Sequence, residues 1–88
     1  MNTKLGLKSE NAITTDLKEL ALWYDETTNL ESVIKAIMDV CKLSEKESTN
    51  IALDSLLDGF AKVTTGKNDK LMTLQNAFKK RLIKTTIN

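Results

Sequence analysis

Histidine and proline are absent from this 88-residue chain, and cysteine occurs once, at Cys41. Without an imidazole and with one thiol, the chain's own side chains cannot assemble a Ser-His-Asp triad or a structural zinc site. A lone cysteine also excludes an internal disulfide. Cys41 falls on the apolar face of a predicted helix, which reads as a buried core thiol and not a reactive one. The twelve acidic residues form no tight pattern that would hold magnesium, nor a paired acid-base set. No enzyme activity and no cofactor are expected. Long apolar runs are missing too: none approaches the roughly 18 residues needed to span a bilayer. The start, MNTKLGLKSEN, carries lysines with no apolar signal region behind them, so a cytoplasmic address is expected. There is no repeat and no low-complexity linker, which leaves room for one domain only.

Apolar residues make up 41% of the chain, enough for a folded core. A chain of this length buries about 60–65% of its unfolded surface, with no room for a deep cavity. The net charge is only +1, but it is unevenly spread. Residues 1–44 hold five lysines against seven acids, whereas residues 60–88 hold six lysines and Arg81 against Asp69 alone. The basic C-terminal third is either a solvated face or a patch for an acidic partner.

Residues 1–16 are weakly periodic and polar and read as a flexible tail, leaving 17–88 as the domain. Residues 17–24, LKELALWY, alternate imperfectly. A strand would place Leu17, Leu20, Leu22 and Tyr24 on one side, but Leu, Lys, Glu and Ala also favour helix. A turn follows over 25–29, where Thr28 and Glu31 are spaced as a capping box. Leu30, Val33, Ile34, Ile37, Met38 and Cys41 then recur at three and four, the clearest helical stripe in the chain. Ser44 and Glu47 form a second capping box. The helix behind them runs to Asp58, where Gly59 is placed to end it in a left-handed conformation. Residues 60–65 suggest a strand, with Gly66 and Lys67 as a turn and Asn68 or Asp69 capping a third helix. Leu71, Leu74 and Phe78 mark that helix's buried face. Lys79, Lys80 and Arg81 near its end suit the helix dipole. Residues 82–87, LIKTTI, suggest a last strand, with a helical continuation as the other reading.

The order of these pieces, and the segments ALWYDETTN, SVIKAIMDVCKLSEKES and NIALDSLLDG, resemble the ClpS family of Clp protease adaptors. The middle segment also resembles the C-terminal domain of the ribosomal stalk protein, which shares the fold. The resemblance covers roughly residues 17–87 and resolves the first segment as a strand. It implies an α+β fold, a β-α-α-β-α-β two-layer sandwich with one sheet and one helical layer. It also implies a non-enzymatic adaptor that docks on a Clp chaperone N-domain and binds the N-terminus of a substrate peptide.

Position by position, the resemblance implies a ligand site at Tyr24, Asp25, Glu26, Thr28, Leu30, Ala52, Ser55 and Leu56. The family turn reads Asn-Asp-Asp, whereas Tyr24, Asp25 and Glu26 stand here. The two acids can attract an ammonium group, but a phenol cannot copy an amide's donor-acceptor pair. Thr28 matches the family threonine and Leu30 the hydrophobe at the rim. Ala52 and Leu56 replace a methionine and an amine-contacting histidine, and Ser55 replaces a small apolar residue. Docking on the chaperone is implied for residues 64–70, with Thr64, Lys67 and Lys70 on that surface. The alternative is a small regulatory or inhibitory interaction protein that keeps the fold and has lost amine recognition. Nucleic-acid binding through Lys79, Lys80, Arg81 and Lys84 is disfavoured, because Trp23, Tyr24, Phe60 and Phe78 do not interleave with that cluster in sequence. Trp23 is read either as a ligand platform or as a cover for the core.

Overall fold

The structure, a computed structural model, describes residues 17–88; the tail expected over 1–16 lies outside them. The elements run β1 (Leu17–Trp23), α1 (Leu30–Cys41), α2 (Glu45–Asp58), β2 (Phe60–Lys67), α3 (Asn68–Lys80) and β3 (Thr85–Ile87). This is the expected β-α-α-β-α-β order. The sheet is antiparallel with strand order β2-β1-β3. Its central strand is the segment whose composition left helix open. Pairing on both sides, and burial of Leu20 and Leu22, override the local propensity.

Leu20, Leu22 and Val63 meet Val33, Ala36, Ile37, Ala52, Leu71, Phe78 and Ile83 in one core between sheet and helices. The β1–β2 register shifts by one between Leu20 and Ala21, which leaves Val63 as an extra, unpaired residue on β2. The bulge switches the inward positions of β2, so that Ala61 and Val63 are buried before it and Thr64 and Gly66 face in after it. A Cβ on Gly66 would lie 3.3 Å from Lys70 Cδ and 3.6 Å from Leu71 Cδ2. Glycine there lets the first turn of α3 approach the strand.

The helix ends show where local chemistry was read well and where it was not. Ser44 caps α2 in a complete capping box with Glu47. Gly59 ends the helix at φ +91°, and its N–H donates to the Ser55 carbonyl at 2.8 Å. The α1 cap is Asn29, not Thr28: its Oδ1 accepts from Glu31 N at 2.7 Å and Ser32 N at 3.3 Å. Helix α3 starts after Lys67 without a side-chain cap. Asn68 is already inside it and donates to Met72 Sδ. Residues 66 and 67 therefore end β2 instead of forming a turn.

The third helix closes in a Schellman motif. Ile83 N donates to the Phe78 carbonyl at 3.0 Å and Leu82 N to the Lys79 carbonyl at 2.9 Å, and Phe78 and Ile83 are both buried. Leu82 takes the left-handed position usually given to glycine, at φ +62°, and is 85% exposed. This motif uses Leu82 and Ile83, and the last strand, Thr85–Ile87, is three residues long and not six. Cys41 is half-buried against the core instead of enclosed by it. Burial pushes its thiol pKa up, with Lys70 opposing.

Candidate functional site

Two local events set how the segments of the expected ligand site are arranged. Helices α1 and α2 pack on one another and are joined over residues 42–44. Tyr24 N then donates to the Gly59 carbonyl at 3.0 Å, which pins the turn after β1 to the end of α2. The turn that carries Tyr24, Asp25, Glu26 and Thr28 is thus held at the Gly59 end of the helix that carries Ser55 and Leu56.

The turn is organised by Asp25. Its Oδ1 accepts from Thr27 N and from Thr27 Oγ1, each at 2.9 Å, while its carbonyl accepts from Thr28 N at 2.9 Å. The backbone hydrogen bond from Thr27, then the hydroxyl, hold the Asp25 carboxyl below the ordinary aspartate range. It is therefore an anion at neutral pH. Asp25 and Glu26 are both exposed, and Tyr24, Thr28 and Leu30 are half-buried. Thr28 lends its backbone N–H to the turn and does not cap α1.

The α2 side differs from the implied pocket. Ala52 is fully buried and Ser55 is 1% exposed, with the Ser55 Oγ donating to the Ala52 carbonyl at 2.7 Å. With Ser48, which is also fully buried, they form a stripe of small residues at i, i+4 and i+7. That stripe lets α2 pack closely on its neighbours, and it presents neither Ala52 nor Ser55 to a ligand. Leu56 is 41% exposed, and Leu53 (40%) and Leu57 (80%) continue an apolar ridge along the helix. What the fold unites at the surface is an acidic turn and a leucine wall. Clefts between α3 and β3, between α1 and α3, and along α1 are lined by other residues.

The expected docking residues occupy the other end of the sheet. Lys67 closes β2 opposite Leu17, whereas Phe60 opens it opposite Trp23. With a rise of about 3.3 Å per residue, the two ends stand about 20 Å apart. Lys67 and Lys70 are exposed at the β2–α3 junction, and Thr64 is half-buried.

Sequence reasoning missed two features near these sites. The Asn29 cap was legible as an Asn directly before the first apolar residue of the stripe. The pairing of Trp23 with Phe60, whose ring centroids are 5.2 Å apart, was not legible, because only the β1–β2 register sets it. The basic cluster also divides instead of forming one patch. Arg81 Nη1 pairs with Asp39 Oδ2 on α1 at 3.3 Å, while the Lys84 ammonium lies over the Trp23 ring, 5.5 Å from its centroid.

A family model described as "ATP-dependent Clp protease adaptor protein ClpS" matches residues 14–85 of the chain. Among solved structures the fold is similar to that of Agrobacterium tumefaciens ClpS2 bound to L-phenylalaninamide. The TM-score is 0.73 at 21% sequence identity, over 83% of this chain and 98% of that one. No curated protein matches the chain.

Proposed function

The chain belongs to the ClpS family of Clp protease adaptors, and from that premise we propose that it is a non-enzymatic adaptor that docks on a Clp chaperone N-domain and receives the free N-terminus of a substrate peptide at its acidic turn. The bond from Tyr24 N to the Gly59 carbonyl carries this reading. It ties the turn bearing two exposed carboxylates, Asp25 and Glu26, to the end of the helix that bears the exposed Leu56. An ammonium group and an apolar side chain are the two chemical features of an unblocked hydrophobic N-terminal residue, and this surface offers one partner to each. Docking is assigned to Thr64, Lys67 and Lys70, far enough from the turn for both partners to bind together.

The test is a nuclear magnetic resonance titration of the full chain. A Clp N-domain is expected to shift residues 64–70. Peptides with a free N-terminal phenylalanine, the residue held as its amide by the Agrobacterium protein, are expected to shift residues 24–30 and Leu56. Acetylated copies of the same peptides should not. Leu56→His puts the family's residue back at a surface position and is expected to tighten amine-dependent binding by about tenfold, the worth of one hydrogen bond to a charged group.

A second reading rests on the burial of Ala52 and Ser55: a regulatory protein that keeps the chaperone-docking surface and lacks amine recognition. Shifts at residues 64–70 with no response to either peptide would decide for it. Silence in both titrations would sink both readings.

A further inference from the structure

The outer face of the sheet, opposite the core, carries an aromatic and basic arrangement that adaptor function leaves unused. Its residues follow from the register. Phe60, Trp23 and Lys84, the residue before β3, form one row, because Trp23 pairs with Phe60 and Trp23 N donates to the Lys84 carbonyl at 3.0 Å. The next row is Lys62, Ala21 and Thr86. In the first row Trp23 stacks on Phe60 with the rings tilted by 31°, and Lys84 lies over the indole. Trp23 Nε1 donates to Thr86 Oγ1 at 2.8 Å, which fixes the ring plane. In the second row Ala21 is buried between its larger neighbours, at 6% exposure.

Both rings are partly open to solvent, Phe60 at 48% and Trp23 at 38%. On this face Glu19 pairs with Lys62 at 3.6 Å. Both side chains of that pair are more than half exposed, so water screens it and Lys62 is readily released to another anion.

We propose that this face binds single-stranded nucleic acid, one base stacking on the Trp23–Phe60 pair and the flanking phosphates meeting Lys84 and Lys62. Lys62 and Lys84 offer positive charge to phosphates, with Glu19 on the same face and the acidic turn of Asp25 and Glu26 just beyond its Trp23 end. The paired aromatics favour a nucleic acid over an acidic peptide, because every base has a π-face to stack whatever its sequence. An antiparallel sheet with aromatics on its open face is a known way to hold unstacked bases. Binding is weak and tolerant of sequence, since two lysines supply the phosphate contacts. The separate basic side chains at the end of α3 are not part of the site, Arg81 being engaged with Asp39.

The chain has a single tryptophan, so its fluorescence reports on this face directly. The full chain is titrated with oligothymidylate about ten nucleotides long, within the span one small domain covers. Saturable quenching is expected. With two phosphate contacts the affinity should fall about sevenfold between 50 and 200 mM salt, from a slope of about −1.4. Phe60→Ala should weaken binding by about fivefold or more, the low end for loss of one base-stacking contact, and Lys62→Gln with Lys84→Gln should flatten the salt slope. Circular dichroism of each variant checks that the sheet persists. Three results would overturn the proposal: no saturation by about 1 mM, beyond the ordinary non-specific range; equal affinity for poly-glutamate, which would mean a general acidic partner; or affinity unchanged in Phe60→Ala.

Discussion

Asp25 shows how one side chain prepares a surface. It is fully exposed, so its role lies in hydrogen bonding, not in burial. Thr27 N and then Thr27 Oγ1 favour its ionised form. A carboxyl whose folded pKa is depressed stabilises the fold above its unfolded value, about 3.9, and that contribution is lost as pH falls through the lower folded value. A pH titration followed by the Asp25 carboxyl shift should therefore give a midpoint below that of an ordinary aspartate. Thr27→Ala removes only the second bond and should move it part of the way back. A midpoint already at the ordinary value in the parent chain would show that the turn is not held this way.

Two left-handed residues give a matched pair at the same scale. Gly59 sits at φ +91° and Leu82 at φ +62°. A side chain in this region costs roughly 1–2 kcal/mol. Gly59→Ala should therefore lower stability by about 1 kcal/mol. Leu82→Gly should raise it by about 0.5 kcal/mol, because relief of strain is partly offset by the greater freedom of glycine in the unfolded chain. Denaturant melts of both variants check the signs. Leu82→Gly behaving like Gly59→Ala would refute the Schellman assignment.

Among the elements, the helix starts differ in how they are held. Helix α2 has a reciprocal capping box, α1 a single Asn cap, and α3 no side-chain cap. Ser44→Ala is expected to cost about 1 kcal/mol, read as a lowered thermal midpoint. Substituting Asn68 by Ala should cost well under that, since its amide caps nothing. Equal losses would mean that α3 is capped through Asn68 after all. The sheet shows the same division between local and distant causes. Its bulge at Val63 lets an eight-residue strand bury Ala61 and Val63, then turn Gly66 toward Leu71. No alternation rule applied to FAKVTTGK alone yields that switch.

For the whole molecule, the sheet acts as a spacer. The acidic turn and the β2–α3 junction lie at opposite ends of β1 and β2, about 20 Å apart. Peptide and chaperone N-domain are therefore expected to bind independently. A calorimetric titration with peptide should give the same affinity, within about twofold, whether or not the N-domain is present. A larger change would mean that the two surfaces are coupled or overlap.

The sequence by itself determined both ends of α2 and the stripe of α1, because caps, glycine stops and helical periodicity are set by neighbours within a few residues. It also carried the family, in segments 17–59 that hold the turn and the helix hairpin. Tertiary structure alone decided the rest. It made residues 17–23 a central strand against their helix propensity, since two partner strands and the core reward pairing. It sealed Ala52 and Ser55 inside, because small residues draw helices together. It also placed Phe60 and Lys84 on either side of Trp23, residues far apart in sequence that only strand register can bring into one row.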